Sequence, residues 1–255
     1  LALFGVVVFL LGAYPRRLGR LSLLVLLLLV LYAVWVAASS LWADSVTRVW
    51  IEAVRTGTYV VVFALALVYL TDLDARKVFR YLLIAGYLSV VILCLWRLWS
   101  ADNLAALFDE NRFSYPVSYP NNAAALFLIA FWPLMWLAAG PGERPIVRGL
   151  SLGIATGLLG LTVLTQSRGA IWSLALTLVI TFVVSPARLR TLLYLLIPGA
   201  LLIYGFPSLN RYWVEGPEAV GGGLAVRTLL IMCLAAGVVG MMAAYLERRV
   251  RIGRQ

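Results

Sequence analysis

The sequence predicts an all-α protein whose helices cross a membrane several times. Hydrophobic residues make up 63% of the 255 residues and charged residues only 13%, and the mean hydropathy is +0.97. Soluble domains are about half apolar and about a quarter charged, so no soluble core would use this much apolar surface. Apolar runs of roughly 20 residues, the length at which a helix crosses a bilayer, recur along the chain between short arginine-bearing loops.

These apolar runs predict a polytopic transmembrane helical bundle of about nine spans. No fixed-period repeat and no low-complexity linker interrupts them, which favours a single transmembrane domain over residues 1–255. In chain order, the predicted spans are Leu1–Tyr14, Leu21–Leu41, Val54–Leu70, Tyr81–Trp99, Ala123–Ala139, Leu150–Thr165, Ala170–Val184, Leu192–Phe206 and Leu224–Tyr245.

The first and last of these spans predict that the chain is truncated at both ends. Leu1–Tyr14 is short for a full crossing, and it lacks the basic start and the small-residue cleavage site of a signal peptide. After Tyr245 the sequence stops in a basic tail. We therefore expect a piece of a longer membrane protein.

The charges between the spans follow the rule that loops rich in lysine and arginine stay in the cytoplasm. A net charge of +10 would also suit nucleic acid, but the basic residues lie at span ends rather than on one face, so we expect no nucleic acid partner. The cytoplasmic set is Arg16, Arg17, Arg20, Arg76, Lys77, Arg80, Arg144, Arg148, Arg188, Arg190, Arg248, Arg249, Arg251 and Arg254. The outer set is Arg48, Arg55, Arg112, Arg168, Arg211 and Arg227, with the acids Asp44, Glu52, Asp102, Asp109, Glu110, Glu215 and Glu218.

The residue inventory narrows the chemistry that is open to the chain. It contains no histidine, the commonest general base and metal ligand. Cys94 and Cys233 both fall inside apolar spans, where a disulfide or a thiolate metal site is not expected. We therefore predict neither a metal site nor a cofactor, and we look for function among the polar residues on the outer side.

The longest polar loop on the outer side reads SADNLAALFDENRFSYPVSYPNN and ends against a new apolar span. Arg112 has aromatic neighbours in Phe113 and Tyr115, which could together hold a sugar ring and an anionic group. A solvated arginine at the membrane interface is the alternative. Asn121 and Asn122 follow Pro120 just before the span, so an asparagine side chain is predicted to cap that helix.

The segment LTQSRGAIW places Arg168 in an outer turn so short that its guanidinium lies near bilayer depth. A charge there is costly unless it snorkels, pairs or serves a water-filled cavity, which makes Arg168 a candidate anion ligand or else a snorkelling anchor. The helix that begins near Ala170 adds a positive dipole end, and Gly169 lets a ligand approach the backbone.

Two other features predict structure rather than chemistry. Gly153 and Gly157 form a small-xxx-small pair, which is typical of close helix packing in lipid. The segment LNRYWVEGPEAVGGG, residues 209–223, holds Arg211 beside a glycine-rich stretch and is predicted to be a flexible connection.

Two segments carry a resemblance to a known family. They are RFSYPVSYPNNAAA, from Arg112 to Ala125, and TQSRGAIWSLAL, from Thr165 to Leu176, and both resemble motifs of the bacterial O-antigen ligase and O-antigen polymerase family. The resemblance implies a glycosyltransferase of the bacterial cytoplasmic (inner) membrane, with a fold like the C-type membrane glycosyltransferases. It implies a metal-independent transfer of a glycan from a polyprenyl pyrophosphate to a lipid or glycan acceptor in polysaccharide biosynthesis. Arg168 would bind the pyrophosphate, with Arg112 and Arg211 near the donor and with Ser167, Gly169, Asn121 and Asn122 in support.

The resemblance is incomplete, and other classes stay open. The family also uses a large periplasmic loop and a histidine late in the chain, and this sequence has neither, as expected if it stops before that loop. No catalytic base can be assigned. The alternatives are a transporter or flippase of lipid-linked saccharides, which predicts mid-membrane charges and broken helices, and a non-catalytic membrane partner.

Overall fold

The computed structural model describes residues 20–69, 73–184 and 188–252, and within them the protein is all-α apart from one short hairpin. The hairpin consists of β1 (Phe108–Asp109) and β2 (Arg112–Phe113), and single 3-10 turns lie at Ser39–Leu41 and Leu104–Leu107. The helices are α1 (Arg20–Ala38), α2 (Val46–Tyr69), α3 (Leu73–Ser100), α4 (Pro120–Ala139), α5 (Pro145–Leu164), α6 (Arg168–Val184), α7 (Arg188–Glu215), α8 (Pro217–Val220) and α9 (Gly222–Ile252).

Seven of the described helices are long and apolar enough to cross a membrane, as expected of a polytopic membrane protein. They are α1, α2, α3, α4, α5, α7 and α9. With 17 residues, α6 is about 25 Å long, which is shorter than the ~30 Å of a typical hydrocarbon core. The predicted span Leu1–Tyr14 lies outside the described residues. The total of about nine spans therefore stays a prediction.

Several helices extend further than the apolar runs that predicted them. The helix α2 begins at Val46, where the predicted span begins at Val54. The prediction of a flexible connection over residues 209–223 is wrong, because α7 continues to Glu215 and α8 follows at once. Two sharp turns replace the loop, at Gly216 (φ 88°) and Gly221 (φ 74°), a backbone conformation that glycine adopts without steric cost.

The chain divides into two compact units, of which the first ends at Leu82. In the first unit, α1 packs against α2 around Leu26, Val60 and Ala64. On the exposed side of α2, Glu52 and Arg55 form an ion pair one helical turn apart.

The second unit begins at Leu83 and is organised around α5, which is buried along nearly its whole length. Its neighbours are α4, α7 and α9. A Cβ atom at Gly153 would lie 2.7 Å from the backbone oxygen of Cys233 in α9, and one at Gly157 would lie 2.5 Å from the Cys233 Sγ. The predicted close packing at this glycine pair is confirmed, because any larger residue would force α5 and α9 apart.

One end of this unit holds a cluster of charged side chains around the buried Arg148. The sequence placed Arg148 in the cytoplasmic set, outside the predicted span Leu150–Thr165. Arg148 instead lies in the first turn of α5 and is only 1% exposed. Its Nε donates to the Ala138 carbonyl over 2.7 Å and its Nη1 to a Glu247 carboxylate oxygen over 3.0 Å. Tyr194 and Arg190 complete the cluster, so α4, α5, α7 and α9 are tied together at this end.

Candidate anion site at the outer end of the helices

The turn between α5 and α6 presents Arg168 at the start of a helix. Ser167 is buried, and its Oγ accepts a hydrogen bond from the Ala170 backbone N–H over 3.2 Å, which caps α6. Arg168 is the next residue, exposed, and makes no side-chain hydrogen bond or ion pair with any residue in the described ranges. Its guanidinium therefore stands free beside the positive end of the α6 dipole.

The loop between α3 and α4 contains the hairpin, which gives it a defined structure. Glu110 and Asn111 form its tight turn, both with positive φ, of 48° and 62°. Phe113 is fully buried and its ring contacts those of Phe108 and Phe127, at centroid distances of 5.4 and 6.5 Å. This anchor fixes the position of Arg112, the residue before it.

Arg112 joins the two motifs that the sequence singled out. Its Nε donates to the Thr165 carbonyl over 3.1 Å, at the α5–α6 turn. Its Nη2 donates to the Asn121 Oδ1 over 2.8 Å, at the start of α4. One guanidinium thus holds residues from three separate segments together, and part of its edge is left for a ligand.

A pocket of about 480 Å³ opens at this junction. Two arginines line it and no carboxylate does, so the pocket has a net positive charge that no lining residue compensates. Guanidinium groups, amide side chains and a helix N-terminus are the groups that commonly bind phosphate oxygens in proteins. The lining residues are Arg112, Asn121, Gln166, Arg168, Gly169, Ile171 and Trp213.

The other candidate residues lie outside this lining. Arg211 is exposed on α7 and its guanidinium is held by both carboxylate oxygens of Glu215, at 2.8 and 2.7 Å. The hydroxyl of Ser167 is already engaged in capping α6. Asn122 is exposed and the pocket does not include it. Arg168, Arg112, Gly169 and Asn121 are the residues that the structure brings together.

Two expectations for the outer loop are wrong. No asparagine caps α4, because Tyr119 occupies the N-cap position without a side-chain bond and Asn121 instead accepts from Arg112. Phe113 cannot hold a sugar ring, because it is 0% exposed. The ring of Tyr115 lies 5.8 Å from the guanidinium of Arg97, so it already has a cationic partner.

An apolar groove continues from the polar pocket along α4 and α6. Its volume is about 550 Å³, and it shares Asn121 and Gly169 with the pocket. The α4 side runs from Asn121 to Trp132, about 16 Å of helix. Trp132 donates a hydrogen bond from Nε1 to the Thr177 Oγ1 over 2.8 Å, which ties the two helices at that depth. Ile129 in the groove wall is 71% exposed, so the groove opens sideways toward lipid.

Two pocket residues were not found from the sequence. Trp213 lies near the end of a predicted span, where tryptophans are common in any membrane protein, and Gln166 was only part of a motif. Gln166 adopts a positive φ of 49°, and its Nε2 donates to the Val163 carbonyl over 3.1 Å. A left-handed glutamine in a two-helix turn cannot be recognised in one sequence, because the turn has no fixed residue code.

Comparison of the chain with protein-family models, with curated proteins and with solved structures finds no match. Among the residues described, no group of three or more His, Cys, Asp or Glu side chains comes together as a metal site would require. The chemistry of the pocket around Arg112 and Arg168 is therefore inferred from the geometry of its own residues.

Proposed function

We propose that this chain is a membrane glycosyltransferase of the O-antigen ligase and polymerase type. It acts at the outer face of a bacterial cytoplasmic membrane on a glycan carried by polyprenyl pyrophosphate. The observation that carries the proposal is the continuity of a cationic pocket with an apolar, lipid-facing groove, since a lipid-linked pyrophosphate has the same two-part chemistry.

The polar pocket supports the headgroup half of the proposal. Arg168 has no partner among the described residues, and Arg112 is aimed by the Thr165 carbonyl and Asn121. Two guanidiniums can neutralise the charge that grows on pyrophosphate when a glycosidic bond breaks. Arg112 is fixed, whereas Arg168 is free to reorient. The pair can therefore contact the pyrophosphate both in the bound donor and after the glycosidic bond has broken.

The groove between α4 and α6 supports the lipid half. Its walls are mainly apolar, although Ser173 and Thr177 of α6 also line it. It begins at Asn121 and Gly169, beside the two arginines. An isoprenoid chain in this groove would keep its pyrophosphate at the membrane surface. The side opening at Ile129 would let the chain enter from the bilayer rather than from water.

The proposed reaction exchanges one glycosidic bond for another. A hydroxyl oxygen of the acceptor forms a bond to the anomeric carbon of the glycan, while the bond from that carbon to the pyrophosphate oxygen breaks. The electron pair leaves with the pyrophosphate, which stays on the polyprenyl chain, and the acceptor hydroxyl loses its proton. Arg112 and Arg168 bind the leaving group, and the proton passes to water at the solvent-exposed pocket.

The structural features support the transporter alternative less well. A transporter is expected to have helices broken near the membrane centre and charges at mid-depth. Pro133 and Pro198 instead lie inside the unbroken helices α4 and α7. Arg148, the one fully buried charged side chain in the described ranges, lies at a helix end.

The test is glycan transfer in membranes of a deletion strain that carries the full-length gene. Arg168→Ala at matched expression is expected to lose transfer and to accumulate carrier-linked glycan, because the leaving group loses its free cation. Removing a comparable electrostatic donor lowers kcat by about 100- to 1000-fold in well-studied enzymes.

Arg227→Ala is the matched control, since Arg227 is also an exposed arginine on the predicted outer side without a partner in the described part of the chain. Its transfer activity is expected to equal that of the wild type. Full activity of Arg168→Ala would reduce Arg168 to a topology anchor and would refute the proposed role of the pocket.

A further inference from the structure

Trp213 is the exposed aromatic side chain of the cationic pocket. It lines the same cavity as Arg112 and Arg168, and its side chain is 45% exposed. Its indole has no ring partner and no hydrogen bond in the part of the chain that the structure describes. An aromatic surface of this size beside two guanidiniums is therefore left open to a ligand.

The neighbouring residue holds Trp213 in place. Tyr212 is fully buried and stacks on Phe108, with ring centroids 5.8 Å apart and planes at 4°. The Tyr212 hydroxyl donates to the Gly221 carbonyl over 2.6 Å and accepts from the Ala225 N–H over 2.8 Å. These contacts fix the last turn of α7, so the backbone that carries Trp213 cannot swing away from the pocket.

We propose that Trp213 is the stacking platform for the sugar that is attached to the pyrophosphate. One face of a pyranose ring presents several C–H bonds, and the electron-rich face of an indole attracts them. If Arg112 and Arg168 bind the phosphates, the first sugar lies beside them in the same pocket. Trp213 forms the aromatic part of that pocket's wall. This inference rests on the proposed function. It makes Trp213 the residue that selects a glycosylated carrier over a bare one.

The competing explanation is that Trp213 only anchors α7 at the membrane interface, as tryptophans commonly do. An anchor would affect all ligands of the pocket alike, or none of them. A sugar platform affects only ligands that carry a sugar. Trp99 is a suitable comparison, because it is 71% exposed at the end of α3 and lines neither the pocket nor the groove.

The test measures binding of two probes to the purified, reconstituted protein, polyprenyl pyrophosphate and polyprenyl-pyrophosphate N-acetylglucosamine. The wild type is expected to bind the glycosylated probe about tenfold more tightly than the bare one. Trp213→Leu should abolish this preference and leave the affinity for the bare probe unchanged. Trp213→Phe should retain much of the preference, and Trp99→Leu all of it.

The outcomes separate this inference from the function on which it rests. Equal losses for both probes in Trp213→Leu, or no loss for either, would overturn the role of Trp213 alone. A wild-type protein that binds neither probe would overturn the proposed function and this inference together. If Arg168→Ala bound the bare probe as tightly as wild type, the pyrophosphate site would be refuted, whatever Trp213 does.

Discussion

Arg112 differs from Arg168 in that its guanidinium is already tethered. The Thr165 carbonyl and the Asn121 amide oxygen accept from its Nε and Nη2, whereas Arg168 makes no such bond within the described residues. Arginine loses less entropy on ligand binding when its planar group is pre-aligned. The two cations therefore have different roles, one preorganised and one adaptable.

Asn121 is expected to act by holding Arg112. Asn121→Ala removes the 2.8 Å hydrogen bond to Nη2, while the bond to the Thr165 carbonyl remains. Loss of one such bond costs about 1 kcal/mol, so polyprenyl pyrophosphate should bind about fivefold more weakly. Titration of the probe into reconstituted wild type and variant measures the difference.

The same titration in an Arg112→Ala background separates the two possible roles of Asn121. If Asn121 only aligns Arg112, then Asn121→Ala adds no further loss once the arginine is gone, because the two effects share one pathway. A full fivefold loss in that background would instead mean that the amide binds the ligand directly.

At the residue scale, the sequence identified Arg168 because a charge in a very short outer turn is costly unless it has a ligand, a partner or access to water. It identified Arg112 because this arginine lies beside aromatic residues in a polar outer loop. It did not identify Trp213, because tryptophans at span ends are typical of any membrane protein. It also did not predict the burial of Arg148, since a basic residue near a span end looks the same in a sequence whether it is solvated or buried beside Glu247. Such pairings depend on side chains about one hundred residues apart.

At the element scale, the glycine face of α5 sets how closely the central helices pack. A Cβ at Gly149 would lie 2.6 Å from the Gly237 carbonyl oxygen, and one at Gly153 would lie 2.7 Å from that of Cys233. Both obstacles are backbone atoms of α9 and cannot rotate away. By contrast, a Cβ at Gly86 in α3 would meet nothing within 4 Å.

Gly153→Ala is therefore expected to destabilise the protein by about 1–3 kcal/mol, the usual cost of overpacking a well-packed interface. Gly86→Ala adds the same methyl group in open space and serves as the control, with no loss of stability expected. Unfolding in mixed detergent and SDS micelles measures both variants against wild type. Equal stability of Gly153→Ala and Gly86→Ala would contradict the close approach of α5 and α9.

The sequence predicted which segments are helical better than where they end. Apolar runs locate the part of a helix that lies in the hydrocarbon, but a helix can continue into water with polar residues. The extension of α7 to Glu215 is an example, since a proline such as Pro207 is a stop signal in a sequence, yet the helix continues through it and ends only before Gly216. This extension is what brings Trp213 to the pocket.

At the scale of the whole molecule, the unit that begins at Leu83 has two chemically different ends. One end holds the hairpin, the α5–α6 turn and α8, which are joined by bonds such as that from the Ala105 N–H to Glu218 (2.7 Å). The other end holds the α4–α5 turn and the cluster around Arg148 and Glu247. The positive-inside rule assigns the second end to the cytoplasm.

This assignment can be tested with single cysteines at the two ends. In a variant with Cys94 and Cys233 replaced by alanine, Asp102→Cys and Gly142→Cys place one thiol in the loop between α3 and α4 and one in the α4–α5 turn. Asp102 is exposed, and a side chain at Gly142 would meet nothing within 4 Å, so both changes should be tolerated.

In intact bacterial cells, a membrane-impermeant maleimide is expected to label Asp102→Cys and to label Gly142→Cys only after permeabilisation. The physical reason is that the arginine-rich end is retained in the cytoplasm during insertion, so the pocket end is exposed outside. A reversed pattern would place Arg112 and Arg168 in the cytoplasm. The pocket could then still bind a phosphorylated lipid, but transfer of a glycan on the outer face would be ruled out.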